Sequence, residues 1–263
     1  MSSTNFYKYP RTAHLEGSRR QPGDEEAGQV ALNALTDGTF VWEEKLDGAN
    51  AAVSFRRDGS LQLQSRGHVL RGGGREAQFA LLKAWAEAQR ARLSPVLGSR
   101  YIVFGEWCFA KHTVFYDCLP HYFIEFDVYD RERAAFLSTP ARRQLIEGLP
   151  IVSVPVVHEG RVVSSAALRK MVGPSRYKSA HWRRALASAA AEAGQPPALI
   201  EAQTDMSDLA EGLYLKHEAG DVVIGRYKFI RSDFLQSVVP SGSHWQDRPI
   251  TPNKLATDVD IFA

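Results

Sequence analysis

The sequence predicts an α+β fold in which short strands alternate with helical segments. Runs rich in β-branched and aromatic residues occupy residues 40–65, 101–107 and 122–129, and such runs return at residues 211–216 and 222–231. Apolar residues at helical spacing fill residues 76–93, and residues 138–200 are mainly helical with one strand at 151–157. With 263 residues and no internal repeat, a single mixed domain accounts for this pattern.

The composition is that of an ordinary globular protein. Apolar residues make up 44% and charged residues 24%, and the formal charge of +2 argues neither for nor against a polyanionic partner. Cys108 and Cys118 form no disulfide or metal-binding pattern. No apolar run of about 18 residues and no signal-peptide pattern occurs. We therefore expect a cytoplasmic protein that does not span a membrane.

Residues 1–39 show no regular periodicity and are expected to form an arm packed on the core. A basic and aromatic cluster covers residues 7–15 of this arm. Two interpretations of the cluster are open: it packs on the surface of the domain, or Arg11 and His14 line a substrate groove.

A lysine stands at the end of the first predicted strand, residues 40–45. Lys45 is followed by Asp47 and Gly48, and a second strand begins within a few residues. Because the ordinary pKa of a lysine amine is ~10.4, Lys45 can act as a nucleophile near neutral pH only if that pKa is lowered. Burial and neighbouring cations lower it. We therefore expect Lys45 to point into a pocket that supplies cations.

Later strands carry charged residues that need partners. Glu106 follows an apolar run, where a carboxylate is costly without a cation, a metal or a ligand. Arg226 and Lys228 lie two residues apart and hence on one face of the last strand. A pair of cations on one face suits an anion.

In chain order, these segments resemble the covalent nucleotidyltransferases, the polynucleotide ligases and mRNA capping enzymes. The resemblance rests on Lys45-Leu46-Asp47-Gly48, Ser65-Arg66-Gly67, Phe104-Gly105-Glu106, Phe126-Asp127, Glu211-Gly212 and Arg226-Tyr227-Lys228. Asn50, five residues after the lysine, is similar to the motif of the type-two RNA ligase branch. The chain also looks like small bacterial ATP-dependent RNA ligases, which share its arm sequence and a His244-Trp245 tail segment.

The resemblance implies a nucleotidyltransferase core of antiparallel sheets flanked by helices. This adenylation domain would span residues 40–235, between the arm at 1–39 and a tail at 236–263 that is too short for an OB-fold. RNA would then contact the domain itself, its mainly helical region at 138–200, the arm or a partner.

The resemblance also implies a catalytic sequence centred on Lys45. The lysine would attack the α-phosphorus of ATP and become lysyl-AMP. It would then pass AMP to an RNA 5′-phosphate, and in the last step an RNA 3′-hydroxyl would displace AMP. Lys228 would act as an acid or base at the α-phosphate, and Arg226, which cannot give up its proton, would clamp it. Asn50 would contact a phosphate or orient the 3′ end, and Arg66 would lie near the phosphate and the RNA end.

Further roles follow from the same resemblance. Glu106 would contact the ribose, Phe126 would stack on adenine, and Glu44 would contribute backbone beside the base. Asp47, Glu106 and Glu211 would hold a hydrated Mg²⁺ or Mn²⁺, partly through waters. The remaining candidates are Lys111 and His112, which would contact RNA. For His112, a structural role is an equally good explanation.

The leading hypothesis is an ATP-dependent RNA ligase that joins 3′-hydroxyl and 5′-phosphate ends in RNA repair. The alternatives are a ligase for DNA or RNA–DNA nicks, a catalytically silent nucleotide-binding module and a capping guanylyltransferase. Asn50 and the short tail favour the RNA ligase. Because sealing needs matched ends, a polynucleotide kinase/phosphatase is an expected partner, by analogy alone.

Overall fold

Two β-sheets flanked by helices form the fold in a computed structural model that describes residues 6–20, 28–234 and 250–263. The strands are β1 (Ala13–Leu15), β2 (Gln29–Val30), β3 (Thr39–Lys45), β4 (Ala49–Phe55), β5 (Leu61–Ser65), β6 (Tyr101–Trp107), β7 (Phe123–Asp130), β8 (Ala135–Phe136), β9 (Val152–Ser153), β10 (Val156–Glu159), β11 (Gly212–Ala219) and β12 (Val222–Ile230). The mixed α+β fold predicted from the sequence is confirmed.

The chain passes from one sheet to the other directly after Lys45. The first sheet has the order β10-β3-β11-β12-β1-β2, and the second has the order β5-β4-β6-β7-β8 with β9 paired to β7. Pairing is antiparallel except where β1 meets β2 and β12 and where β9 meets β7. Since β3 belongs to the first sheet and β4 to the second, the turn between Lys45 and Ala49 lies at the junction of the sheets.

The described residues form six α-helices. They are α1 (Ala80–Ala88), α2 (Arg90–Leu97), α3 (Thr139–Ile146), α4 (Ser165–Met171), α5 (Trp182–Glu192) and α6 (Pro197–Ala202). The single helix predicted at 76–93 is a 3-10 helix, Gly74–Phe79, followed by α1 and α2. The break falls at Gln89, which leaves the helical conformation (φ −90°, ψ 3°) and donates its side-chain amide to the carbonyl of Phe262.

The arm is more regular than its sequence indicates. β1 pairs in parallel with β12, and β2 extends the sheet beyond β1. Strands of three and two residues are too short to show a periodicity, so only the pairing partner reveals them. Residues 21–27 of the arm and residues 235–249, which include His244 and Trp245 of the predicted tail, lie outside the described residues.

A β-bulge interrupts β7 at Phe126. Phe104 of β6 pairs with Asp127 and Gly105 pairs with Glu125, so Phe126 is an extra residue on β7. Strict alternation predicts one shared face for Ile124, Phe126 and Val128. Instead, Val128 packs in the cluster of Phe123, while Ile124 and Phe126 pack in another, because the added residue resets the phase of the strand.

No helix within the described parts of the chain is both long and apolar enough to cross a bilayer.

Candidate active site

A cavity of about 570 Å³ opens where the two sheets meet around Lys45. Its volume lies in the range of small-molecule sites, ~300–1,000 Å³. Eight of the predicted site residues line it: Glu44, Lys45, Asn50, Arg66, Glu106, His112, Phe126 and Lys228.

Lys45 lies among carboxylates at one wall of the cavity. Its amine is 2.6 Å from Oε2 of Glu211, because Lys45 of β3 pairs with Gly212 of β11. Glu106 accepts a hydrogen bond of 2.9 Å from the backbone N–H of Gly48. Asp47 accepts the backbone N–H groups of Thr113 and Val114 at 2.6 and 2.7 Å. The predicted lysine and three acids are thus brought together.

The electrostatics of this cluster differ from the sequence-based expectation. Burial acts to lower the pKa of the Lys45 amine, but the carboxylates of Glu211 and Glu106 outweigh burial and raise that pKa above its ordinary value. Burial raises the pKa of Glu106 to about 8, against the opposing effect of Lys45 and with a contribution from Asp47. The pKa of Glu211 rises to about 7 for the same reasons. Near neutral pH, burial and mutual repulsion therefore keep Glu106 and Glu211 partly protonated, and three carboxyl groups share the cluster with one lysine.

Such a cluster fits a hydrated divalent cation. Oxygen donors are the ligands that Mg²⁺ prefers, and Mg²⁺ keeps several of its own waters. Within residues 6–20, 28–234 and 250–263, no group of three His, Cys, Asp or Glu is arranged to ligate a metal directly. Water-mediated contact from Asp47, Glu106 and Glu211 remains the prediction for this site.

A wall beyond the lysine is aromatic and apolar. Phe126 is half-buried, and its ring edge meets Tyr9 at a centroid distance of 5.4 Å. Ile124 and Val154 complete this wall. Glu44 also lines the cavity, but its carboxylate is bound by the hydroxyl of Ser175 at 2.5 Å and the backbone N–H of Arg176 at 3.2 Å. Phe126 thus presents an aromatic ring to the cavity, while hydrogen bonds hold the Glu44 carboxylate in place.

Behind Phe126 a set of charged side chains is fully buried between the sheets. Lys216 of β11 donates to the backbone carbonyl of Phe126 and lies 2.9 Å from Glu43 and 3.3 Å from Asp127. Arg142 of α3 pairs with Glu43 and with Glu125. We call these five residues the buried charge network.

Six predicted residues are outside the cavity lining: Asp47 and Glu211, which belong to the cluster at Lys45, and four that have other contacts. Arg226, predicted as a phosphate clamp, has its guanidinium 3.8 Å from the centre of the Phe136 ring and 3.5 Å from Asp127. Lys111 donates its amine to the carbonyls of His112 and Gln203, both at 2.9 Å. His14 is buried with Nδ1 2.8 Å from the Ser18 hydroxyl, and Arg11 is exposed.

Sequence reasoning missed other lining residues, notably Tyr9, Thr12, Glu43 and Tyr214. The alternation of side chains along a strand could have indicated two of them. Glu43 lies on the same strand face as Lys45, and Tyr214 lies on the same strand face as Lys216. The arm cluster was recognised, but Tyr9 and Thr12 reach the cavity rather than Arg11 and His14.

Comparisons with known proteins agree with this fold. The RNA ligase of Naegleria gruberi, solved as a variant with AMP and manganese, matches 76% of this chain and 52% of its own at 19% identity, with a TM-score of 0.51. The same enzyme with pyrophosphate matches 76% of this chain and 51% of its own at 21% identity, with a TM-score of 0.50. Our chain thus spans about half the length of these solved relatives.

At this level of identity the structural similarity shows the fold. None of the curated proteins matches the chain. The family model described as RNA ligase matches residues 38–230, which include Lys45 and the carboxylates beside it, and the chain therefore belongs to the RNA ligase family.

Proposed function

We propose that this protein is an ATP-dependent RNA ligase that joins a 3′-hydroxyl to a 5′-phosphate through lysyl-AMP on Lys45. The main support is the Lys45 amine, which faces a cavity of about 570 Å³ at 2.6 Å from Glu211. Family membership and the ATP, AMP and manganese named with the Naegleria enzyme also support it.

In the proposed first step, Phe126 stacks on adenine and the phosphates lie toward Lys45 and Lys228. The Lys45 nitrogen attacks the α-phosphorus, the P–N bond forms, and the bond to pyrophosphate breaks. The amine must lose a proton, which the carboxylates around it oppose by raising its pKa. A divalent cation held by Asp47, Glu106 and Glu211 would offset their charge and so favour the neutral amine.

In the later steps, an oxygen of the RNA 5′-phosphate displaces the lysine, and the 3′-hydroxyl oxygen then displaces AMP. Lys228 lines the cavity and stabilises charge on the phosphate oxygens. Arg66 is exposed at the rim and is suited to an incoming RNA strand. In this proposal Asn50 orients the 3′ end, and Arg226 acts indirectly, by holding Asp127.

The wider context is also part of the proposal. The ligase would serve RNA repair after a kinase/phosphatase has produced the ends. Its two cysteines are free, as is usual in the reducing cytoplasm where we propose that it works. Because Tyr9 and Thr12 line the cavity, the arm at 1–39 and the adenylation domain at 40–235 would act as one unit.

Transfer of label from ATP tests the proposal. Protein freed of bound AMP is incubated with Mg²⁺ and α-labelled ATP or GTP, then denatured and separated by electrophoresis. We expect a labelled band with ATP, its loss in Lys45→Ala, and its retention in Lys170→Ala, a control at an exposed lysine on α4. Label on Lys45→Ala would exclude the proposed nucleophile.

Sealing assays with pre-adenylylated donors show whether the enzyme prefers RNA ends or DNA ends. A donor that already carries AMP bypasses the first step, so only the later steps are measured. Faster joining of RNA ends than of DNA ends is expected, and the reverse preference would favour the nick-ligase alternative.

A further inference from the structure

Three hydroxyl groups form a hydrogen-bonded chain along one wall of the cavity. The Tyr9 hydroxyl donates to Asp127, the hydroxyls of Tyr9 and Tyr214 are 2.7 Å apart, and the Thr12 hydroxyl is 3.1 Å from that of Tyr214. Tyr9, Thr12 and Tyr214 all line the cavity. None of these hydroxyls takes part in the proposed ligation steps.

The ion pairs of Asp127 fix the direction of this chain. Burial acts to raise the pKa of the Asp127 carboxyl, but Lys216 and Arg226 outweigh burial and lower that pKa, so the group is ionised and only accepts. The single hydroxyl hydrogen of Tyr9 is therefore used on Asp127. The hydrogen between the two tyrosines must then belong to Tyr214, and the hydrogen between Tyr214 and Thr12 must belong to Thr12.

The direction of these hydrogen bonds determines whether Thr12 can donate or accept a hydrogen bond in the cavity. Because its hydroxyl hydrogen is committed to Tyr214, the oxygen Oγ1 can offer only lone pairs to a ligand. A ligand group that meets Thr12 must therefore be a hydrogen-bond donor. A phosphate oxygen is an acceptor and is disfavoured there, whereas a sugar hydroxyl is suited.

The location of the chain also suits a sugar. Tyr214 stands directly opposite Lys228 in the pairing of β11 with β12, on the phosphate side of the site. The Tyr214 ring centre is also 6.2 Å from that of Phe126, on the base side. A sugar lies between the base and the phosphate of a nucleotide, and Tyr214, the middle member of the hydroxyl chain, neighbours both Phe126 and Lys228.

We propose that Thr12 accepts a hydrogen bond from a ribose hydroxyl and so distinguishes ribose from deoxyribose. The identity of the ligand rests on the proposed function, and two sources share this chemistry: the ribose of ATP and the ribose at the RNA 3′ end. Tyr9 and Tyr214 act as positioning residues that orient the Thr12 hydroxyl.

Two measurements separate these sources. The first is equilibrium binding of AMP against 2′-deoxy-AMP and 3′-deoxy-AMP, which needs no catalysis and so stands even if no ligation occurs. The second is the rate of joining a pre-adenylylated RNA donor to acceptors whose 3′-terminal nucleotide carries or lacks the 2′-hydroxyl.

In one of these measurements, wild type should prefer the ribose form by about five- to tenfold, the effect of one hydrogen bond that leaves a group unpaired when lost. Thr12→Val, which keeps the shape but removes the hydroxyl, should reduce that preference to near unity. Thr12→Ser should retain it. Tyr214→Phe should weaken it, because the Thr12 hydroxyl is then free to turn.

The thermal unfolding midpoint of each variant shows whether it is folded, and Thr12→Ser supplies the folded reference if Thr12→Val is unstable. An equal preference for ribose and deoxyribose in wild type in both measurements would overturn the proposal. So would an unchanged preference in a folded Thr12→Val. A loss confined to binding assigns the ATP ribose, and a loss confined to joining assigns the RNA 3′ end.

Discussion

At the scale of single residues, two motif glycines allow backbones to approach closely. A Cβ on Gly212 would lie 1.9 Å from the carbonyl oxygen of Phe229, and a Cβ on Gly48 would lie 2.7 Å from that of Trp107. The first approach sets β11 against β12, next to Lys45, and the second brings Glu106 to the turn after Lys45. These glycines therefore position charged groups through close backbone packing.

Replacement of Gly212 by alanine should lower the free energy of unfolding by about 1–3 kcal/mol or more, because the new methyl group overlaps a backbone atom that cannot move freely. Urea unfolding measures this loss. Gly173→Ala is the matched control, since nothing lies within 4 Å of its Cβ. Equal stability of the two variants would contradict the steric explanation.

The sequence identified the residues around Lys45 but not their balance of charge. It predicted cations that would lower the lysine pKa, whereas the carboxylates nearest to the amine raise it. Motif spacing specifies which side chains meet, and the net field depends on burial and distance, which spacing does not contain. For the same reason the spacing of Arg226 and Lys228 did not indicate the ion pair of Arg226 with Asp127, in which the two charged groups are 3.5 Å apart.

At the scale of secondary structure elements, the bulge of β7 is the feature that matters for the site. It inserts Phe126 between residues that pair with β6, and the amine of Lys216 binds its carbonyl. The extra residue allows the aromatic ring to line the cavity while Asp127, the next residue, is fully buried. The sequence predicted the strand and the aromatic, but a bulge leaves no pattern in a single sequence.

Phe126→Ala should raise the dissociation constant of ATP by about 5- to 150-fold, since an aromatic stack on a base contributes ~1–3 kcal/mol. Calorimetric titration of ATP into each variant measures the change. Phe262→Ala, at a phenylalanine that is 43% exposed, should bind like wild type. Unchanged ATP binding by Phe126→Ala would leave Phe126 with a packing role only.

Helix boundaries show where local patterns fail. The apolar spacing of residues 76–93 predicts a single helix, and its buried stripe of Leu82, Trp85 and Ala86 is confirmed. The helix breaks at Gln89, whose side chain bonds to the backbone of Phe262, far along the chain. Periodicity reports neither the break nor this contact between distant segments.

At the scale of the whole molecule, the buried charge network joins the two sheets. Glu43 and Lys216 come from the first sheet, Glu125 and Asp127 from the second, and Arg142 from α3. Each of these side chains has 0% exposure. Because every charge has an opposite partner, removal of one leaves others buried and uncompensated.

Arg142→Met should lower the free energy of unfolding by about 3–5 kcal/mol, because Glu43 and Glu125 lose their shared cation. Its neighbour on α3 provides the control: Arg143 is exposed, and Arg143→Met should change stability by less than about 0.5 kcal/mol. Chemical denaturation compares them. A small effect of Arg142→Met would mean that the network does not hold the sheets together.

The parallel pairing of β1 with β12 has a practical consequence for the design of truncated fragments. A fragment that starts at residue 38, where the family match begins, would lack Tyr9 and Thr12 and so one wall of the cavity. It would also leave the edge of β12 unpaired, an open template for strands of other molecules. Such a fragment is expected to aggregate, and its inactivity would say nothing about Lys45.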